Sequence, residues 1–149
     1  MRAPYTQLYL HGVWATWDRL PLITAGVEAG LYAAIRAKSG ELKCPCLAIG
    51  GMPDHVHVLV RLHTTVAVAD LLQAVKGASS HLVTHMLQPG EFFKWQGAYG
   101  AFTVGKANLP DVTGYIERQK QHHTGGELWE DWERTLIEEE KTASGSPGD

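Results

Sequence analysis

Residues 55–62 constrain the fold of this 149-residue chain more than any other segment. They read His-Val-His-Val-Leu-Val-Arg-Leu, a β-branched and aliphatic run that follows the turn-forming sequence Gly-Gly-Met-Pro-Asp at residues 50–54. We predict a strand here, joined by that turn to a preceding strand at residues 42–49. Because side chains alternate along a strand, His55 and His57 then lie on one face of the sheet and the valines beside them on the other.

The periodicity elsewhere predicts a regular alternation of strands and helices around this hairpin. Residues 5–16 are rich in aromatic and β-branched residues and predict a first strand, whereas apolar residues at three- and four-residue spacing predict a helix over residues 28–38. A second helix is predicted over residues 68–86, although Gly77 could loosen it, and residues 92–104 lead into a last strand. The order β-α-β-β-α-β predicts an α+β, ferredoxin-like split βαβ fold, with an antiparallel sheet and helices on one face.

Two C-terminal helices are predicted beyond the sheet. Pro110 suits the first turn of a helix, and Asn108 or Asp111 could cap its N–H groups. A pair of glycines separates this helix from an acidic one. We therefore divide the chain into a main domain, residues 1–126, and an acidic C-terminal helix with a loose tail, residues 127–149. Because acidic residues are concentrated at that end, the main domain is mildly basic although the net charge of the chain is −3.

Composition excludes several classes of protein. The apolar stretches fall far short of the roughly 20 residues that a membrane span needs, and no apolar segment of a secretory signal follows the N-terminus. We expect a cytoplasmic protein with no membrane partner. Cys44 and Cys46 lie one residue apart, which strains any disulfide, and no second ligand pair completes a zinc site. These cysteines are predicted to be buried thiols.

The histidine pair and a later helix supply the candidate chemistry. Imidazole is a common metal ligand, and His55 and His57 would offer neighbouring coordination positions from one strand. Such pairs also occur on sheets that bind no metal, so a third ligand is needed. Tyr115 and Gln119 are four residues apart and share one helix face. The Gln119 amide oxygen suits Mg²⁺, and a tyrosine hydroxyl can act as a nucleophile, although Tyr115 could instead be an ordinary core residue.

At this point the sequence resembles a known family, the single-tyrosine HUH transposases of small bacterial insertion sequences, within the rolling-circle endonuclease superfamily. The resemblance covers roughly residues 7–123. Its motifs occur in order at residues 11–14, 19–21, 52–60, 76–80, 95–104 and 115–123. They include the Pro-Asp-His-Val-His strand, the Trp-Gln-Gly-Ala-Tyr-Gly segment and the Tyr-Ile-Glu-Arg-Gln motif. His122 and His123, at the end of the last motif, match a family pair to which we assign no role.

The resemblance implies an enzyme that cleaves and rejoins single-stranded DNA. By position in the motifs, His55, His57 and Gln119 match the ligands of a divalent metal, Mg²⁺ or Mn²⁺, and Tyr115 matches the nucleophile that forms a 5′-phosphotyrosine. The implied partners are single-stranded DNA with hairpin ends and a second copy of the chain. In such a homodimer the tyrosine helix can sit beside the partner's histidines, because the flexible residues 105–108 let it swing.

Two other functions are compatible with the same residues. One is a domesticated, non-catalytic module that binds single-stranded nucleic acid with the same fold. The other is a metal hydrolase that cleaves a small phosphoester through a metal-bound water, for which Tyr115 would be dispensable. Intact His55, His57, Tyr115 and Gln119 favour the transposase.

Basic and aromatic residues are weaker candidates for DNA contacts. Phosphates could be bound by Lys76, Arg61, Lys94, Lys106, Arg118 and Lys120, each of which is equally consistent with a solvated surface residue. Trp95 and Tyr99 could stack on bases or belong to the core. The acidic C-terminal region departs from the basic character of the family and weakens the DNA binding that we expect.

Overall fold

A computed structural model describes residues 3–121 of the chain. Its main elements are β1 (Tyr9–Ala15), α1 (Ala25–Glu41), β2 (Cys46–Met52), β3 (His55–Arg61), α2 (Val68–Leu82), β4 (Gly100–Val104) and α3 (Leu109–Glu117). Short 3₁₀ turns at Trp17–Arg19 and Lys106–Asn108 follow β1 and precede α3. The predicted acidic helix and tail, and His122 and His123, lie outside the described residues.

The four strands form one antiparallel sheet in the order β2-β3-β1-β4. This order and the β-α-β-β-α-β sequence of elements confirm the predicted ferredoxin-like fold. The β2–β3 hairpin is also confirmed, but β2 continues through both glycines of residues 50–54, so that Met52 pairs with His55. The turn is therefore confined to Pro53 and Asp54, whereas the sequence placed its start at Gly50.

Helices cover both faces of this sheet. α1 and α2 pack together on the face to which Val56, Val58 and Val60 point, where they form the larger core. Within α1, Leu31 and Ile35 are one turn apart and fully buried, and each such side chain contributes roughly 1.5–3 kcal/mol of burial free energy. α3 packs on the opposite face, against β2 and β3, in a second and smaller core.

Several local predictions differ from the structure. Gly77 does not interrupt α2, which runs to Leu82 and then widens into a π-helical turn at Val83–Leu87. Pro110 lies in the first turn of α3 as predicted, but no side-chain hydrogen bond caps that helix. Both cysteines are free; Cys44 is buried, as predicted, whereas Cys46 is only partly buried. Within residues 3–121, every helix is too short or too polar to span a bilayer.

Candidate active site

Strand β3 presents His55 and His57 on the face that α3 covers. Both imidazoles are fully buried, and their ring centroids lie 5.2 Å apart with the planes at 74°. This arrangement follows from the two-residue period of a strand, in which residues i and i+2 share a face. The sequence prediction that both rings face one side of the sheet is therefore confirmed.

A neighbouring side chain orients each of these rings through Nδ1. Nδ1 of His55 lies 2.7 Å from Oδ1 of Asp54, and Nδ1 of His57 lies 2.8 Å from Nε2 of His11. With Nδ1 engaged in each ring, Nε2 is the atom through which each imidazole would coordinate a metal. Hydrogen bonds of this kind hold metal-binding histidines in the correct tautomer and orientation.

Asp54 is itself fixed by a cation. The Arg19 guanidinium donates to Oδ2 of Asp54 through Nε at 3.1 Å and Nη2 at 2.9 Å. Burial raises the pKa of the Asp54 carboxyl, but the hydrogen bond with His55 and the charge interactions with His55 and Arg19 outweigh burial and lower that pKa to about 2. Asp54 is therefore a carboxylate at neutral pH, suited to accept a hydrogen bond from the Nδ1–H of His55.

The sequence interpretation did not assign His11 and Asp54 to the site. The signal for Asp54 was its place directly before the histidine pair. The signal for His11 lay in the strand register, because Val13 pairs with His57 and His11 is two residues away on the same face. A pairing of β1 with β3 was needed to recognise it.

Helix α3 brings Tyr115 and Gln119 to these histidines. The Tyr115 ring is fully buried, with its centroid 5.7 Å from that of His57 and the planes at 82°. α3 ends at Glu117, and Gln119 lies in the helical turn that follows. Its Oε1 still lies 3.3 Å from Nε2 of His55, and its amide Nε2 donates to the Tyr115 carbonyl at 3.4 Å. The structure thus brings together the four residues that the sequence singled out.

The donor atoms of this cluster fit a divalent metal. They comprise the imidazole nitrogens of His55 and His57 and the amide oxygen of Gln119, and imidazole and oxygen ligands are compatible with Mn²⁺ or Mg²⁺. Among residues 3–121, no group of three His, Cys, Asp or Glu side chains forms an alternative metal site. Within these residues, the side chain that could complete a set with the two histidines is the amide of Gln119.

The basic residues predicted to contact DNA lie at different distances from this cluster. Arg61 lies at the other end of β3, six residues or about 20 Å from His55, where it donates to the Thr6 carbonyl. Lys76 extends from α2 and donates to the Gln96 carbonyl at 2.6 Å. Arg61 is therefore not brought to the histidine pair, whereas the Gln96 segment that Lys76 contacts is bound to Ala15, the residue that pairs with His55.

Three more of the predicted DNA contacts flank α3. Lys106 is exposed in the 3₁₀ turn before this helix, and Arg118 is exposed at its end. Lys120 follows Gln119 and forms an ion pair with Glu28 at 3.0 Å. These three cations lie at the two ends of the helix that carries Tyr115.

The two predicted base-stacking aromatics differ in exposure. The Trp95 side chain belongs to the α1–α2 core, and its indole N–H donates to Oγ of Ser79 at 3.1 Å. Trp95 is therefore a core residue, one of the two alternatives left open by the sequence. Tyr99 is 36% exposed and lies directly before β4.

Comparison with known proteins identifies the family. Residues 4–119 match the sequence pattern of the family described as IS200-like transposases. The chain belongs to this family. The ISDra2 transposase TnpA of Deinococcus radiodurans is 28% identical to this transposase over 120 residues, which cover 76% of the chain and 84% of the relative.

Two solved structures share the fold of the transposase. The crystal structure of a candidate transposase from Deinococcus radiodurans superposes with a TM-score of 0.62 at 28% identity, covering 80% of this chain and 95% of the other. A REP-associated tyrosine transposase bound to a REP hairpin superposes with a TM-score of 0.57 at 13% identity, covering 78% and 68%. The second likeness concerns the fold alone.

Gly50 determines how closely α3 of the transposase approaches the sheet. A Cβ atom at this position of β2 would overlap the Ile116 carbonyl oxygen and lie 3.0 Å from its carbon. Gly50→Ala therefore has to push α3 away from β2 and separate Gln119 from His55. We expect the affinity for Mn²⁺, measured by calorimetry on the full chain, to fall at least about tenfold, as it does when the support of a metal ligand is lost.

Gly40→Ala is the matched control for this substitution. Gly40 lies near the end of α1, and a Cβ there meets no atom within 4 Å. This variant should bind Mn²⁺ like the wild type. Equal Mn²⁺ affinities of Gly50→Ala and Gly40→Ala would show that the approach of α3 does not position the ligands.

Proposed function

We propose that this transposase cleaves and rejoins single-stranded DNA through a covalent 5′-phosphotyrosine at Tyr115, with Mg²⁺ or Mn²⁺ as cofactor. The observation that supports the proposal is the convergence of a tyrosine, two histidines and a glutamine amide on one face of the sheet. A nucleophile beside a metal-ligand set is what phosphodiester cleavage by a tyrosine requires.

His55, His57 and Gln119 would hold the metal, which when bound polarises the scissile phosphate and stabilises the leaving 3′-oxygen. Tyr115 attacks phosphorus through its hydroxyl oxygen. As the new oxygen–phosphorus bond forms, the bond to the 3′-oxygen breaks, the phenol loses its proton and the leaving oxygen gains one. The 5′ end of one DNA product is then linked to Tyr115, and the other product ends in a free 3′-hydroxyl.

The reverse of this step rejoins DNA. A different 3′-hydroxyl attacks the phosphotyrosine, restores a phosphodiester and releases the hydroxyl of Tyr115. Because the phosphotyrosine retains the energy of the original bond, no nucleoside triphosphate is consumed. Strand transfer between two DNA ends thus needs only a nucleophile, a metal and correctly placed ends.

The proposed substrate is single-stranded DNA with hairpin ends. A relative of the same fold is described as bound to a REP hairpin, which supports a folded single strand as the ligand. We propose that Lys106, Arg118 and Lys120 contact phosphates near the scissile bond, since they flank α3. Arg61 would contact DNA farther from it, and Lys76 would contact DNA beside the Gln96 segment. The cytoplasmic location stays a prediction from the sequence.

Trapping a covalent adduct tests the proposal on the wild-type chain. Incubation with Mn²⁺ and labelled single-stranded DNA from the flank of the element should produce a protein–DNA species that survives a denaturing gel. The same DNA as a full duplex should produce none. Cleavage without an adduct would indicate the metal hydrolase, and binding without cleavage would indicate the non-catalytic module.

We also propose that the protein works as a homodimer. Two cleaved ends must be held together for strand exchange, and a two-fold pair is the commonest assembly. β2 and β4 lie at the edges of the sheet, and an edge strand can pair with that of a second copy. Light scattering at micromolar concentration should give twice the chain mass of 16.3 kDa. The mass of one chain, with activity retained, would contradict the dimer.

A further inference from the structure

A tryptophan and a lysine form an exposed pair directly after β1. Trp17 begins the 3₁₀ turn Trp17–Arg19 and is 39% exposed. Nζ of Lys94 lies 4.1 Å from the centroid of the indole ring, within the range of a cation–π interaction. The backbone fixes the pair, because the Trp17 N–H donates to the Lys94 carbonyl at 2.9 Å.

This pair lies at the end of the sheet that carries His55. Ala15 pairs with His55 across β1 and β3, and Trp17 is two residues farther on, within about 7 Å of Ala15 along the backbone. Thr16 forms an antiparallel bridge with Trp95, whose side chain points into the α1–α2 core. Lys94 directly precedes Trp95 and its ammonium group lies over the Trp17 ring, so both members of the pair lie beside this end of β1.

The turn that presents Trp17 has a strained backbone. Asp18 and Arg19 have φ values of 54° and 56°, in the left-handed region that non-glycine residues rarely adopt. Two contacts hold this conformation: the Asp18 N–H donates to Oε1 of Gln96 at 3.3 Å, and Arg19 binds Asp54. Strain that is kept by specific contacts is typical of functional segments. The strained turn links the exposed indole of Trp17, through Arg19, to the Asp54 carboxylate that orients His55.

We propose that Trp17 and Lys94 form a stacking platform for one unpaired base of the DNA strand that enters the active site. With Lys94 over one face of the indole, the base stacks on the other face, and the ammonium group of Lys94 can turn towards an adjacent phosphate. Stacking of this kind accepts any base, because every base has a π face. The inference rests on the single-stranded DNA substrate proposed above and names a residue that recognises it.

Equilibrium binding without cleavage tests this platform. The full chain in EDTA is titrated against a fluorescent single strand of ten thymidines, and anisotropy gives the dissociation constant. Trp17→Ala should weaken binding about tenfold, the loss expected for one stacked base, and Trp17→Phe should recover most of the affinity. Lys94→Gln should also weaken binding and lower the slope of log affinity against log salt by about 0.7.

Tyr5→Ala is the matched control, since Tyr5 is an 83% exposed aromatic residue on the approach to the opposite end of β1. It should bind like the wild type. Wild-type binding with no effect of Trp17→Ala would overturn the platform alone. Absence of wild-type binding would contradict the proposed recognition of unpaired DNA as well. Photocrosslinking of wild type to an oligonucleotide with 5-iodouracil needs no variant, and crosslinked peptides that all lack Trp17 would also overturn the platform.

Discussion

Replacing Tyr115 by phenylalanine should abolish cleavage of single-stranded DNA and leave the fold intact. The substitution removes one hydroxyl and keeps the ring that packs 5.7 Å from His57. We expect the free energy of unfolding to change by about 1 kcal/mol or less, the usual contribution of one hydrogen bond. Phenylalanine has no oxygen that can form a bond to phosphorus. Both cleavage and the covalent adduct should therefore fall below detection.

A denaturing gel and peptide mapping measure this effect. In wild type the linked peptide should contain Tyr115, and Tyr5→Phe should cleave normally because this tyrosine is 83% exposed and precedes the opposite end of β1. Retained cleavage by Tyr115→Phe without any adduct would support the hydrolase. Binding without cleavage by wild type would support the non-catalytic module, and an adduct at Tyr99 would retain the mechanism but refute the residue assignment.

Removing the proposed metal, or one of its proposed ligands, should have an effect of similar size on cleavage. We expect EDTA to abolish cleavage, Mg²⁺ or Mn²⁺ to restore it in wild type, and neither ion to restore it in His57→Ala. The substitution removes one imidazole of the donor set and also the group that lies 2.8 Å from Nε2 of His11. Loss of that buried hydrogen bond should lower the free energy of unfolding by about 1–3 kcal/mol.

His63→Ala controls for the general effect of removing an imidazole. His63 lies in the loop after β3, is partly exposed, and contacts the Thr65 hydroxyl rather than the site. This variant should retain cleavage and Mn²⁺ affinity. The metal assignment is wrong if EDTA-treated wild type and His57→Ala both cleave as well as untreated wild type.

The sequence predicts best those features that depend on local periodicity. The alternation of side chains in β3 places His55 and His57 on one face, independently of how the strand packs against other elements. The four-residue spacing of Tyr115 and Gln119 keeps them together even though α3 ends at Glu117 and Gln119 lies in the next turn. Both features require only the geometry of one element, so no knowledge of tertiary contacts is needed.

Features that depend on how elements pair are not accessible in this way. His11 becomes a neighbour of His57 only through the β1–β3 register. The position of Arg61 at the far end of β3 and the ion pair of Lys120 with Glu28 likewise follow from tertiary structure. A count of basic residues cannot distinguish a cation beside the scissile phosphate from one about 20 Å away.

Because the sheet separates the two cores, a mutation that removes only the Tyr115 hydroxyl has little effect on the stability of the fold. Most of the apolar burial lies on the α1–α2 face, whereas Tyr115 lies in the small core under α3. A copy that loses the tyrosine hydroxyl therefore keeps its folding energy and escapes removal as an unfolded chain. Under the proposed mechanism, such a copy would still bind the DNA ends but would not cut them. It would then compete with intact copies for the same ends.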